Sequence, residues 1–278
     1  MIDLGTQPLG HTISSADLDA DRLDYLVDVL DVVELPVVLD VFPRYDNAAE
    51  RSAALQRGRD GLDADGLLPG GRVHPDLEAW LRILEQPDWY VSGRGIVRPV
   101  DENTSITRVC LATSTIGSVV ARRSGGSPLV VRSAAADQPA HLLDALGCGQ
   151  GLDFQGVLSR TEISAPTDLL SEALDASPFD VNATAARLAH TGIEQDAARN
   201  LAAAMSTCSS HAEITSVKNG TGTRRASHHL VAFFDTHRGR ILATSSTASD
   251  GRRWSTLSSG TDGRVKSALA ELVEWSGR

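Results

Sequence analysis

Chemistry in these 278 residues could reside in eight histidines, three cysteines and a few glycine-rich or basic stretches. The histidines are His11, His74, His141, His190, His211, His228, His229 and His237. A bound zinc needs three or four ligands at short spacing, as in HExxH or paired CxxC motifs. Neither motif is present. His228 and His229 are adjacent. In a strand over 226–235 they point to opposite faces, so one ion cannot take both without distortion. No GxSxG nucleophile turn occurs. Cys148 lies between glycines in LGCGQG (146–151) without a local base, and a thiol attacks only where its thiolate is favoured. Cys110 falls in an alternating run and is expected to be buried. VKNGTGTRR (217–225) lacks the Lys-Ser/Thr pair of a phosphate loop. It also lies between two strands, whereas such a loop feeds a helix N-terminus. Asn219–Gly220 instead marks a hairpin turn.

The stretch FFDTHRGRILAT (233–244) concentrates charge at a corner. Phe233 and Phe234 end one extended run, and Ile241, Leu242 and Ala243 begin the next. Asp235 is expected to initiate the turn, Thr236 to hydrogen-bond locally and Gly239 to accept a positive φ. Arg238 and Arg240 are within reach of Asp235 or of backbone carbonyls across the hairpin. This arrangement holds a bend and supplies nothing that activates water. Asp235, Thr236, Arg238, Gly239 and Arg240 are therefore read as structural. No catalytic, metal or cofactor residue is expected.

These groups must be positioned by both helices and strands. Ser14 or Ser15 is expected to cap a first helix, with Leu18, Leu23, Leu26, Val27 and Leu30 as its stripe. Pro36 ends it, and VVLDVF (37–42), rich in β-branched residues, reads as a strand. Residues 46–61 read as a second helix that starts near Asp46 or Asn47 and stops at Gly61. Residues 74–85 follow, with Pro75 in the first turn. Strands are expected at 89–99, 105–113, 117–124 and 127–134, with Gly125–Gly126 as a hairpin signal, then a helix over 137–147.

The second half repeats this order. Helices are expected at 165–176, 177–192 and 192–207, extended runs at 210–218, 226–235, 239–245 and 252–257, and a last helix at 262–277. The fold class is therefore α+β (mixed). Two pseudo-twofold related halves, 1–147 and 148–278, each carry an antiparallel sheet flanked by helices.

Composition excludes several roles. The net charge is -10, and an acidic chain has no general attraction to nucleic acid. The pairs Arg122–Arg123, Arg224–Arg225 and Arg252–Arg253 read as hairpin ends. An odd set of cysteines, Cys110, Cys148 and Cys208, is no disulfide framework. No window approaches a membrane span, and the first thirty residues do not read as a signal peptide. A reducing cytoplasm is the expected location.

FFDTHRGRILAT, followed by GRRWSTLSSGTDGRVKSALAEL (251–272), resembles the C-terminal signature of the EspG family. LDYLVDVLDVVELPVVLDVFPRY (23–45) and GLLPGGRVHPDLEAWLRILEQPDWYV (66–91) resemble its opening helix, its Glu-Leu-Pro junction and the next loop and helix. His237 stands where the family usually has proline. The resemblance implies a cytosolic chaperone of mycobacterial type VII (ESX) secretion, with no cofactor and no reaction. Its partner would be a PE–PPE heterodimer, bound through the apolar helical tip of the PPE subunit. Contacts would come from the loop 99–105, with Asp101, Glu102 and Asn103, and from helices over 166–206, with Thr191, Gly192, Gln195 and Arg199. A structural or regulatory subunit of the same fold, and a cysteine- or histidine-dependent hydrolase, are the alternatives. An antiparallel sheet edge also leaves self-association open.

Overall fold

The computed structural model describes residues 13–100, 102, 104–134, 137–147, 162–175, 180–220 and 223–277. In chain order its strands are β1 (Ala16–Leu18), β2 (Trp89–Val97), β3 (Ile106–Ser114), β4 (Gly117–Ser124) and β5 (Leu129–Ser133). They continue as β6 (Ile163–Pro166), β7 (Cys208–Gly220), β8 (Thr223–Thr236), β9 (Gly239–Thr247) and β10 (Arg253–Ser259). The helices are α1 (Ala20–Val29), α2 (Ala48–Ala64), α3 (Pro75–Glu85), α4 (Gln138–Leu146), α5 (Thr167–Asp175), α6 (Val181–His190), α7 (Gln195–Met205) and α8 (Asp262–Gly277).

All ten strands join one sheet in the order β1-β5-β4-β3-β2-β7-β8-β9-β10-β6, each neighbour antiparallel. The order is a palindrome. Each end is a short strand that precedes its own helices, and four strands of a meander follow inward. The two meanders meet at β2 and β7, where Gly93 faces Ile214 and Arg94 faces Glu213. The expected pair of sheets is thus one continuous sheet.

Alternation along each strand gives the sheet two faces. Val91, Val109, Leu111, Ile214, Val231 and Phe233 point to one of them and are buried under α4 and α8. Among the described residues, the opposite face is covered at its two ends only. There, α1 to α3 bury Leu26, Leu77, Trp80, Leu81 and Leu84 against Cys110, Ala112 and Ala121. At the other end, α5 to α7 bury Leu170, Leu188, Leu201 and Ala198 against Ile241 and Leu257. Each large apolar side chain so enclosed is worth about 1.5–3 kcal/mol relative to exposure. The middle of this face, over β2, β7 and β8, lies open as a groove of about 620 Å³.

Three local expectations are corrected. The run 37–42 is no strand. Val37–Leu39 is a single 3-10 turn between Pro36 and Asp40, and Asp40 takes φ 59°. Its residues do not alternate in burial: Leu39 is fully buried, whereas Val37, two positions earlier, and Phe42 are 66% and 61% exposed. The first helix is capped by Asp19, whose carboxylate accepts from the Arg22 N–H at 2.9 Å, and the stretch before it pairs as β1. Gly61 does not end the second helix, which Asn47 caps and which runs on to Ala64. One turn earlier, Gly58 lets α2 touch α1, because a Cβ there would sit 2.1 Å from the Asp21 carbonyl oxygen.

Candidate partner-binding site

The connection between β2 and β3 begins where β2 leaves the sheet. Arg98 anchors it to the start of β7. Its N–H donates to the Ser209 carbonyl at 2.7 Å, and its Nε donates to His211 Nδ1 at 3.3 Å. His211 stacks on Phe234 with ring centroids 6.0 Å apart. Burial, and then the neighbouring Arg98 cation, push the His211 pKa down, with Glu213 opposing them. The ring therefore stays neutral and accepts the Arg98 hydrogen bond. Farther along, the Thr104 hydroxyl donates to the Pro99 carbonyl at 3.4 Å, and Ser105 pairs with Ser124 at 3.1 Å. Val97 and Val100 are 60% and 66% exposed at the root of this connection.

The same start of β7 is held from behind by the 233–244 hairpin. The Ser210 hydroxyl donates to Asp235 Oδ2 at 2.9 Å, and that of Ser209 to the Asp235 carbonyl at 3.2 Å. Asp235 takes both of its remaining bonds from Arg240, a bidentate ion pair closed off from solvent. The Arg240 guanidinium lies 4.5 Å from the centre of the Phe233 ring, a favourable cation–π geometry. Asp235 sits inside β8 rather than opening the turn, which is His237–Arg238 between Thr236 and Gly239. The Thr236 hydroxyl closes that turn by donating to the Gly239 carbonyl at 2.7 Å and accepting from the Arg238 N–H at 3.1 Å. Gly239 has φ 117°. The hairpin is a brace beneath the surface that carries Arg98.

Among the expected contacts, Glu102 is exposed in the β2–β3 connection, while Asp101 and Asn103 lie outside the described residues. The other four cluster elsewhere. Thr191 ends α6 with its hydroxyl donating to the Leu188 carbonyl, Gly192 follows at φ 94°, and Gln195 opens α7. Arg199 pairs along the helix with Asp196. Because α7 runs from Gln195 to Met205 before β7 starts, this group stands roughly 15 Å along the helix from the end nearest Arg98. The sequence reading missed Arg98, His211 and the two valines. The signal was IVRPV (96–100), apolar residues continuing beyond the strand into a proline-containing connection.

Neither described thiol is placed as a reactive centre. Burial pushes the pKa of Cys110 far up and raises that of Cys208, so neither favours a thiolate. Cys148 lies outside the described residues. His229 Nδ1 lies 3.3 Å from the Ser245 carbonyl, an ordinary strand-to-strand bond. No group of three or more His, Cys, Asp or Glu able to hold a metal occurs among the described residues. No helix among them is long and apolar enough to cross a membrane.

Comparison with known proteins supplies the rest. The chain is 26% identical over 272 aligned residues to the ESX-3 secretion-associated protein EspG3 of Mycobacterium tuberculosis (strain CDC 1551 / Oshkosh), covering 94% of this chain and 91% of that one. Its fold superposes with a TM-score of 0.76 on the Mycobacterium tuberculosis type VII secretion system chaperone EspG5, solved in complex with the PE25–PPE41 dimer. That alignment is 18% identical and covers 94% of this chain and 96% of the other. The sequence model of the EspG family matches residues 19–271. The chain belongs to the EspG family.

Proposed function

We propose that this protein is a secretion chaperone that binds a PE–PPE heterodimer through the apolar helical tip of its PPE subunit, keeping the pair soluble and directing it to a type VII system. It is a binding protein and not an enzyme. The family match across residues 19–271 carries this reading. The contact surface is the β2–β3 connection, with Asp101, Glu102 and Asn103, together with α6 and α7, with Thr191, Gly192, Gln195 and Arg199. Val97 and Val100, exposed at the root of that connection, supply its apolar part. Covering an exposed apolar tip gains about 25 cal/mol for each Å² of apolar surface removed from water, before the costs of association. Polar residues at the rim then reject tips that would leave them unpaired.

Co-expression with each PE–PPE pair of the source organism, followed by size-exclusion chromatography, tests the proposal. A stable complex is expected with at least one pair, which otherwise precipitates. If no pair is bound or solubilised, and secretion of every pair persists after deletion of this chain, the reading is wrong. A structural or regulatory subunit of the same fold would then take its place.

A further inference from the structure

The open middle of the sheet has a charge pattern that the contacts proposed above do not use. One cross-strand row places Arg123 of β4 beside Arg108 of β3, Arg108 beside Arg94 of β2, and Arg94 beside Glu213 of β7. Like charges directly opposite one another on a sheet face are unfavourable unless something offsets them. Two of the three arginines are offset. The Arg123 guanidinium donates to the Leu39 and Asp40 carbonyls at 3.3 and 2.7 Å, and that of Arg108 lies 3.2 Å from the Asp40 carboxylate. The left-handed conformation of Asp40 presents all these oxygens at once.

Arg94 is different. It is exposed, lines the groove and has no hydrogen-bond or ion-pair partner among the described residues. Glu213 stands in register across the strand pair but forms no ion pair with it. Arg253 contributes another guanidinium to the groove wall. Against Arg94, Arg108 and Arg253 the groove wall sets two carboxylates, Asp40 and Glu213, so cations are in excess there, whereas the chain as a whole has net charge -10. The lip above it is apolar, because Val37 and Phe42, both largely exposed, line the same groove.

We infer that this groove is a docking site for an acidic side chain carried on the apolar tip of the partner protein, and that Arg94 receives its carboxylate. The inference rests on the chaperone reading for its occupant. An Arg fork suits a carboxylate because two N–H groups can donate to its two oxygens. The apolar lip covers the residues on either side of the acid, which excludes water and strengthens the pair. Arg94 thereby selects among tips of similar apolar shape. A tip with a basic residue at that place would meet a cation, and a tip with a neutral one would leave Arg94 unpaired.

The test uses the full chain and a PE–PPE pair of the source organism that co-purifies with it. R94E is compared with R94K and with K266E, a reversal on α8 at the other face of the sheet. R94E is expected to lower affinity at least tenfold with an unchanged melting temperature, while R94K retains part of the binding and K266E retains all of it. Reversal of the matching acid on the PPE tip to lysine is expected to restore binding to R94E. If the pair binds wild type and R94E equally, the inference is overturned and the chaperone reading stands. If wild type binds no pair, the chaperone reading fails on its own. The groove is then judged with citrate as probe, by thermal denaturation against sodium chloride of equal ionic strength. A rise in melting temperature that R94Q abolishes supports a carboxylate site, and an equal rise in both proteins, or none, overturns it.

Discussion

Asp235 Oδ1 accepts from Arg240 Nε at 2.6 Å and Oδ2 from the guanidinium Nη2 at 3.1 Å, with only 3% and 1% of the two side chains exposed. Breaking one side of such a pair strands a buried charge, which costs about 3–5 kcal/mol. Asp235→Asn should therefore lower the melting temperature by roughly 6 °C or more, at about 2–4 °C per kcal/mol. Replacing both partners by apolar residues, as in D235L/R240M, should cost less than either single change. Calorimetry of the three variants checks this, and strict additivity would show that the two residues do not act as a unit.

Gly239 takes φ 117° in the turn that this pair braces. A Cβ there is strained by about 1 kcal/mol or more. Gly239→Ala should lower stability by at least that amount and leave partner affinity intact in molecules that stay folded. Loss of binding at an unchanged melting temperature would move the hairpin from brace to interface.

Gly58 offers a test of sign. Glycine-to-alanine in a helix interior ordinarily stabilises by about 1 kcal/mol. Here the new methyl would meet the Asp21 carbonyl oxygen at 2.1 Å, so α1 and α2 must part. Gly58→Ala should shift the urea midpoint down. Gly263→Ala, with nothing within 4 Å of the new methyl, should leave it unchanged or raise it.

Asp21 links the same two helices to pH. Burial alone would raise its pKa, yet hydrogen bonds from Arg57, Arg44 and Tyr45 overcome this and hold it at about 2. A carboxyl depressed on folding contributes stability above its ordinary pKa, and that contribution is lost as pH falls toward the folded value. The stability gap between wild type and Asp21→Asn should thus be constant from neutrality to about pH 4.5 and close between about pH 4 and pH 2. Urea titrations across that range measure it, and a gap unchanged at pH 2.5 would refute the linkage.

Val97 and Val100 are already exposed, so charging them costs the isolated fold little. V97D and V100D should each weaken partner binding at least tenfold while the melting temperature moves by less than about 2 °C, an ordinary effect for a surface position. Affinity equal to wild type would remove the valines from the contact surface.

Much of the architecture was legible because it is locally encoded. The strands of both meanders follow alternation, the helix at Pro75 follows its start signal and the helix before Gly147 its stop signal. The failures came where distant partners decide. VVLDVF has strand propensity, but prolines bound it, and Leu39 is drawn into the core while Arg108 and Arg123 grip Asp40. Strands β1 and β6, of three and four residues, owe their existence to pairing with β5 and β10, far off in sequence. The ion pair of Asp235 and Arg240 was readable as a contact across the hairpin, but its burial was not. The row of arginines could not be read at all, because it depends on the registers of two separate strand pairs.

The seam between β2 and β7 pairs Trp89 with Lys218 and Val97 with Ser210, so its two sides leave the ribosome far apart in time. Strands β3, β4 and β5 can close on β2 as soon as residue 133 is free, yet β7 is complete only at residue 220. At about 5–20 residues per second the interval is on the order of ten seconds. Throughout it, a nine-residue strand presents unpaired N–H and C=O groups along one side, a template for wrong partners. Val91 lies on that strand, and its core is sealed only when α8, the last of the described helices, arrives. A chain proposed to shield the exposed surfaces of others thus passes through a nascent stage in which its own central strand is open.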